Sequence, residues 1–283
     1  EGPHEQSWPP PGHRALYGDL KPGDLNPETI NERLSAFARS AFRRPPTEGE
    51  LKPIRALVAA KLNAGLKPLD ALQLGFQTIL CAPGFLYQHE GEGELKGYAL
   101  ASRLSYFLWS SMPADELLKL AAAGTLGEPA TRRKQVERML ADPKAEALGP
   151  RFAGQWLRLQ DLDKIHPDVR LQPDFHQQLA DAMRLETEMF FNSIVREDRS
   201  VLDLYAADYT FVNERLAKHY GIPGVSGEHF RRVNYPDDTR RGVLGHASIL
   251  TMTSHAGRTS PVLRGKWVME VLLGTPPPPP PPG

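Results

Sequence analysis

The segment from Pro173 to Asp198, PDFHQQLADAMRLETEMFFNSIVRED, carries the longest helical repeat in the chain, and the rest of the fold has to accommodate it. At about 100° per residue, Phe175, Leu179, Ala182, Met183, Met189 and Phe190 fall on one broad apolar face, the pattern of a helix packed on a core. Glu186 lies in the middle of that face, whereas Glu188 falls on the polar side as an ordinary surface carboxylate. A carboxyl group turned toward a core must be ion-paired, hydrogen-bonded or protonated, because burial penalises its charged form. Two readings follow: half of a structural ion pair with an arginine from another helix, or an acid-base group at a ligand site.

Around this segment the sequence reads as helices punctuated by proline and glycine. Asn26 and Pro27 supply an N-cap and a first-turn proline for a helix reaching about Arg43, with Ile30, Leu34, Phe37, Ala38 and Ala41 inward. Thr47 and Glu50 have the spacing of a capping box, and Pro68 opens a third helix through Leu80. After the solvated loop GEGELKG, the run ALASRLSYFLWSS places Leu100, Leu104, Phe107 and Leu108 on one face with Arg103 at its edge. Arg103 is the first candidate partner for Glu186, and Arg151, in RFAGQWLRL, is the second. Further helices are expected over ADELLKLAAAG, closed by Gly124, over EPATRRKQVERMLAD, and over YTFVNERLAKHYG, closed by Gly221. In IPGVSGEHFRRVNYPDDTRRG only FRRVNY alternates well enough for a short strand or hairpin arm.

The expected fold is therefore mainly α, an irregular multi-helix bundle with a small loop or hairpin excursion near residues 222–241. It divides into a connector over 1–25, a three-helix unit over 26–96, a central helical domain over 97–225, a C-terminal helical segment with a polar loop over 226–275, and a polyproline spacer over 276–283. A stiff run of prolines followed only by Gly283 leads to the expectation that the natural chain continues.

Composition excludes several function classes. Lys plus Arg and Asp plus Glu both number 34, so no net field attracts nucleic acid or an anionic membrane. Cys81 is the single cysteine, read as a small buried hydrophobe; an intrachain disulfide, a thiolate zinc site and covalent haem through CxxCH are all excluded. The sequence holds no apolar run long enough for a transmembrane helix. His219, His246 and His255 could be weighed as metal or haem ligands, but neither HExxH nor a paired ExxH pattern accompanies them, and no metal ligand is assigned. His246, between Ile249 and Leu250 on an apolar face, reads as a core histidine satisfied by one hydrogen bond.

The most chemically loaded run is TSHAGRTSP, residues 253–261. It delivers His255 and Arg258 ahead of a helix whose N-cap is Ser260 and whose first residue is Pro261, with Arg264 one turn later. Free amides, a capping hydroxyl and two guanidinium groups suit an anion. The sequence-based site is thus Glu186 and His255 as acid-base groups, with Arg258, Ser260, Arg264 and Arg103 binding substrate or anion.

The combination of FRRPPTEGEL, ILCAPGFLYQHE, RLSYFLWSSMPADELL, DYTFVNERLAKHYGI, RRGVLGHASILTMTSHAGRTSPVLRGKWVMEVLLG and TPPPPPPP resembles a group of multidomain proteins of planctomycetes and related bacteria. In that group a c-type cytochrome domain usually lies upstream and several consecutive domains of unknown function follow; this chain is similar to the central helical part, from about Gly2 to Gly283. The resemblance implies a periplasmic or secreted protein whose partner is a c-type cytochrome domain or another electron-transfer partner. It implies haem c on an upstream domain and no cofactor in this chain, and it carries over no catalytic residues. Two functions are consistent with it: the substrate-handling part of a cytochrome-linked oxidoreductase, or a non-catalytic scaffold that docks the cytochrome domain or a partner subunit.

Overall fold

The computed structural model describes residues 11–18, 25–88, 92–167 and 170–278. Residues 1–10 and 19–24 of the expected connector, and 279–283 of the polyproline run, lie outside the described residues. The described chain is mainly α, with two small two-stranded sheets. It divides into two compact units: residues up to Tyr106 together with Met112–Arg133, and Phe107–Ser111 together with residues from Lys134 onward.

In the first unit, the helices Pro27–Ala41, Glu48–Asn63 and Pro68–Leu80 enclose a core of Ile30, Leu34, Ile54, Val58, Leu72 and Phe76. Their starts follow the local chemistry. The Asn26 side chain accepts from the Thr29 amide, and Thr47 and Glu50 exchange side-chain and backbone bonds in a complete capping box. Pro11–Tyr17, inside the stretch read as a connector, forms a further helix, and the Tyr17 hydroxyl accepts from Gln73 Nε2. Arg43 ends the first long helix with φ +59°, and its buried guanidinium donates to the carbonyls of Gly84, Phe85 and Tyr87. It thereby fastens that loop to the bundle with a cation aimed at backbone oxygens. Cys81 corrects its sequence reading: it lies at the C-cap of the Pro68–Leu80 helix and is exposed.

The second unit is organised on the helix Gln177–Arg196, which starts four residues later than the periodicity suggested, with His176 rather than Pro173 at its head. The His176 ring Nδ1 accepts from the Leu179 amide as an N-cap. The first half of the helix packs Leu179, Ala182 and Met183 against Val212, Leu216, Ala217 and Ala247, and the second half packs Phe190 and Ile194 against Leu204, Ala207 and Tyr209.

The run read as one helix, YTFVNERLAKHYG, is two elements. Tyr209–Val212 is a strand, and the helix is confined to Glu214–Tyr220. Tyr, Thr, Phe and Val all favour extended backbone, and the Asn213 side chain accepts from the Leu216 amide, so the helix cannot begin before it. The strand pairs antiparallel with Arg231–Asn234, Tyr209 opposite Asn234 and Val212 opposite Arg231. The excursion over 222–241 therefore returns to an upstream strand rather than closing on itself.

After it come a 3-10 turn Val243–Gly245, a break at His246, and the helix Ala247–Met252. A two-residue hairpin, Ser254–His255 against Arg258–Thr259, leads to the helix Pro261–Trp267, where the Ser260 hydroxyl caps the Leu263 amide.

Gly242 fixes where the returning chain meets the central body. Its φ is +53°, its amide donates to Ala207 O at 3.0 Å, and a Cβ there would lie 2.4 Å from Leu204 O. Gly242→Ala is expected to destabilise the second unit by roughly 3 kcal/mol or more, from strain and overpacking together. Gly224→Ala, also at positive φ but with no atom near the added methyl, should cost only about 1 kcal/mol. Urea unfolding followed by tryptophan fluorescence checks both; equal shifts would show that the close approach is not limiting.

Candidate functional site

Glu186 has no solvent exposure, and its location follows from the apolar periodicity of its own helix. What holds it comes from elsewhere. Thr210, on the strand Tyr209–Val212, donates its hydroxyl to Glu186 Oε1 at 2.6 Å, and Tyr220, at the end of the Asn213-capped helix, donates to Oε2 at 2.5 Å. The expected arginine partner is thus replaced by two hydroxyls. Arg103 and Arg151 are exposed side chains, and Glu186 is completely buried. Burial is the largest influence on this carboxyl group and pushes its pKa up to about 8, against the opposing pull of the two hydroxyls and of the nearby positive charge of Arg240. At neutral pH Glu186 is predominantly a neutral carboxylic acid. Glu188, read as a surface group, is half-buried, and burial raises it as well.

The Tyr220 hydroxyl is the junction of the network, since it also accepts from the Ala247 amide at 2.7 Å. Burial, followed by the proximity of Glu186, holds its phenol well above the ordinary tyrosine range. Tyr235 is raised for the same two reasons, with the Thr210 hydroxyl and the charge of Arg240 opposing them. The Arg240 guanidinium sits 4.4 Å from the centroid of the Tyr220 ring, and its Nη1 donates to Gly245 O at 2.8 Å.

His246 is fully buried; its Nδ1 shares a hydrogen bond with Thr187 Oγ1 at 3.0 Å and its ring packs edge-on against Phe190 at 4.8 Å, as expected of a core histidine. Its Nε2 is buried without a partner among the described residues. Burial, aided by the charge of Arg240, depresses the imidazole to about 3, so the ring is neutral.

Next to this network lies a cavity of about 180 Å³ whose wall includes Met183, His219, Arg240, Ala247, Leu250 and His255. Glu186 is not part of that wall; it reaches it through Tyr220, which is bonded to Ala247 and stacked under Arg240. His219 is exposed yet partly desolvated by surrounding protein, which lowers its pKa, and Arg240 lowers it further while Asp174 opposes both. It is an uncharged imidazole at neutral pH.

Of the residues singled out from sequence, the structure brings Glu186 and His255 to one cavity, the first behind its wall and the second on it. Arg258 is exposed opposite His255 in the hairpin, Ser260 is occupied as a helix cap, and Arg264 is half-buried one turn into the following helix; none of the three lines the cavity. Arg103 belongs to the first unit. The cation that does line the cavity, Arg240, was missed. The doublet Arg240–Arg241 before Gly242 gave no sign of which arginine turns inward: Arg241 pairs with Asp238, and Arg240 faces the cavity. Among the described residues no group of three or more His, Cys, Asp or Glu is gathered to hold a metal ion, and no helix is long and apolar enough to cross a membrane.

A mainly helical chain with a neutral carboxylic acid behind a cavity wall is thus defined by geometry, and comparison with known families places it more closely. Three family models match in succession: PSD5, a protein of unknown function (DUF1595), over residues 29–90; PSD4, a protein of unknown function (DUF1592), over 95–222; and PSCyt3, a protein of unknown function (DUF1588), over 240–283. The chain thus carries three domains of unknown function in succession, matching the multidomain architecture that its sequence resembles. No curated protein and no solved structure matches it.

Two of the buried titrating groups, Glu186 and His246, give the stability of the second unit a defined pH profile. The folded pKa of Glu186, about 8, lies above the ordinary 4.5, so its contribution is full below pH 4.5 and is lost as pH rises through 8. The folded pKa of His246, about 3, lies below the ordinary 6.5, so its contribution is full above pH 6.5 and is lost as pH falls toward 3. Each limb slopes by roughly 1.4 kcal/mol per pH unit, and the two cancel where they overlap. Glu186→Gln is expected to fold and to lose the alkaline limb. Urea denaturation across the pH range checks this; an unchanged alkaline decline in the variant would assign it to another group.

Proposed function

We propose that the second unit is the substrate-handling part of an exported, cytochrome-linked oxidoreductase, and that it holds a small ligand in the cavity walled by His219, Arg240 and His255. The observation that carries this reading is the convergence on one small cavity of a fixed cation, two imidazoles and a hydrogen-bonded connection to a buried carboxylic acid. Shifted titrating groups such as Glu186, Tyr220 and His219 beside a concavity are characteristic of ligand and acid-base sites. The volume, below the roughly 300 Å³ at which drug-sized pockets begin, suits a compact molecule.

Within this reading the neutral His219 accepts a proton from the ligand, and His255 offers a second imidazole on the same wall. Glu186 does not touch the ligand. It is a positioning residue that receives the Tyr220 hydroxyl and, being neutral, leaves the charge of Arg240 uncancelled. Export and the electron-transfer partner rest on the resemblance to proteins with an upstream c-type cytochrome domain. Covalent haem c needs a CxxCH motif, whereas this chain has the single cysteine Cys81, so the chain's own part is to bind, orient and exchange protons.

The test is a panel of small alcohols, sugars and carboxylic acids titrated into the protein while the ring resonances of His219 and His255 are followed by NMR, with reduction of an added ferric c-type cytochrome as a second readout. At least one compound is expected to move both rings and to drive cytochrome reduction, and Ala256→Trp, which fills the cavity from its wall, should abolish both effects. A panel that moves neither ring and reduces no cytochrome would favour the scaffold role.

A further inference from the structure

Resting on the reading of this cavity as a ligand site, we propose that its ligand is a small carboxylate anion held by the guanidinium of Arg240. The arginine is anchored from two sides, by its bond to Gly245 O and by the Tyr220 ring beneath it. Preorganisation of this kind suits a fork that receives a carboxylate. Among the described residues Arg240 makes no ion pair, although nearby arginines do: Arg241 with Asp238, and Arg232 with Glu197 at 3.0 Å. A half-buried guanidinium that faces a cavity without a carboxylate leaves the counter-charge to be supplied by what enters.

The titratable groups around Arg240 leave its charge standing. Glu186, on the central helix, is held protonated by burial, and His246 and His219, from two further elements, are held uncharged. Tyr220 and Tyr235 are both raised and neutral. Asp237 feels Arg240, but it is exposed and its carboxylate is engaged by the Thr239 amide and hydroxyl. The floor of the cavity is therefore locally cationic in a chain with no net charge.

The remaining wall selects among anions. Ile165, Phe175, Met183 and Leu250 are apolar, and Gln172 and Thr251 add neutral polar groups. One guanidinium, the single Arg or Lys in this wall, against such a surface matches the charge of a monoanion with a short carbon chain better than that of a phosphate dianion.

The experiment is calorimetric and NMR titration of acetate, lactate and butyrate near neutral pH, with glycerol and inorganic phosphate as comparison probes, on the wild-type chain and on Arg240→Gln and Arg240→Lys. At least one carboxylate is expected to bind more tightly than glycerol and phosphate, moving His219 and His255, and to lose about tenfold or more in affinity in Arg240→Gln. Arg240→Lys, which keeps the charge but not the fork, should lose several-fold, and it carries the test if the glutamine variant fails to fold. Equal affinity for a carboxylate in wild type and in any folded Arg240 variant would overturn the proposal. Binding of glycerol or phosphate in preference to every carboxylate would overturn it while leaving the ligand site standing. Silence of both rings to all probes would remove the anion and the site together.

Discussion

The second unit depends on one carboxyl group kept out of water without a counter-ion. Two hydroxyls from elements distant in sequence, Thr210 and Tyr220, take the place an arginine was expected to fill. An ion pair at that depth would have required desolvating two charges, and the Coulomb attraction gained often fails to offset that loss. A protonated acid between hydroxyls satisfies the same oxygens with no net charge in the core. The arrangement also frees a cation: Arg240 lies close enough for its charge to act on Glu186, yet its bond goes to a backbone carbonyl and its face to a ring.

Sequence patterns read well where the governing interaction is local. The Asn26 cap, the Thr47–Glu50 box and the Ser260 cap span three residues each, and all form as their spacing implies. The inward position of Glu186 is equally local, because helical periodicity fixes which face a residue occupies. Its partners were not legible, since Thr210 and Tyr220 lie 24 and 34 residues away and only the tertiary fold brings them near. The misreading of Tyr209–Val212 compounded this. An apolar run joined to a good helix reads as its continuation, although Asn213 marks the true start. Once the run is read as a strand, alternation sends Thr210 to the face opposite Tyr209, which is how its hydroxyl comes to Glu186.

Arg240 illustrates a different limit. Neighbouring arginines at 240 and 241 have equal local propensities, and nothing in their immediate sequence separates the one that pairs with Asp238 from the one that enters the wall. The distinction is tertiary: Arg240 reaches the Gly245 carbonyl and the Tyr220 ring, while Arg241 stays with Asp238. Cys81 was misjudged for a related reason: it ends an apolar helix, and the final residue of a helix often leaves the face that its predecessors share.

The pairing of Tyr209–Val212 with Arg231–Asn234 bears on how the chain may be divided. The second strand lies in the stretch between the two matched segments 95–222 and 240–283, while its partner lies inside the first. Glu186, Thr210, Tyr220 and His219 come from one segment; Arg240, Ala247 and His255 come from the other. Excising the first segment at the limits of its match would strip its strand of its neighbour and separate Tyr220 from the Ala247 amide that its hydroxyl accepts from. Boundaries drawn from similarity here cut across the packing, and a piece that keeps the acid enclosed has to run unbroken from one matched segment through residues 223–239 into the other.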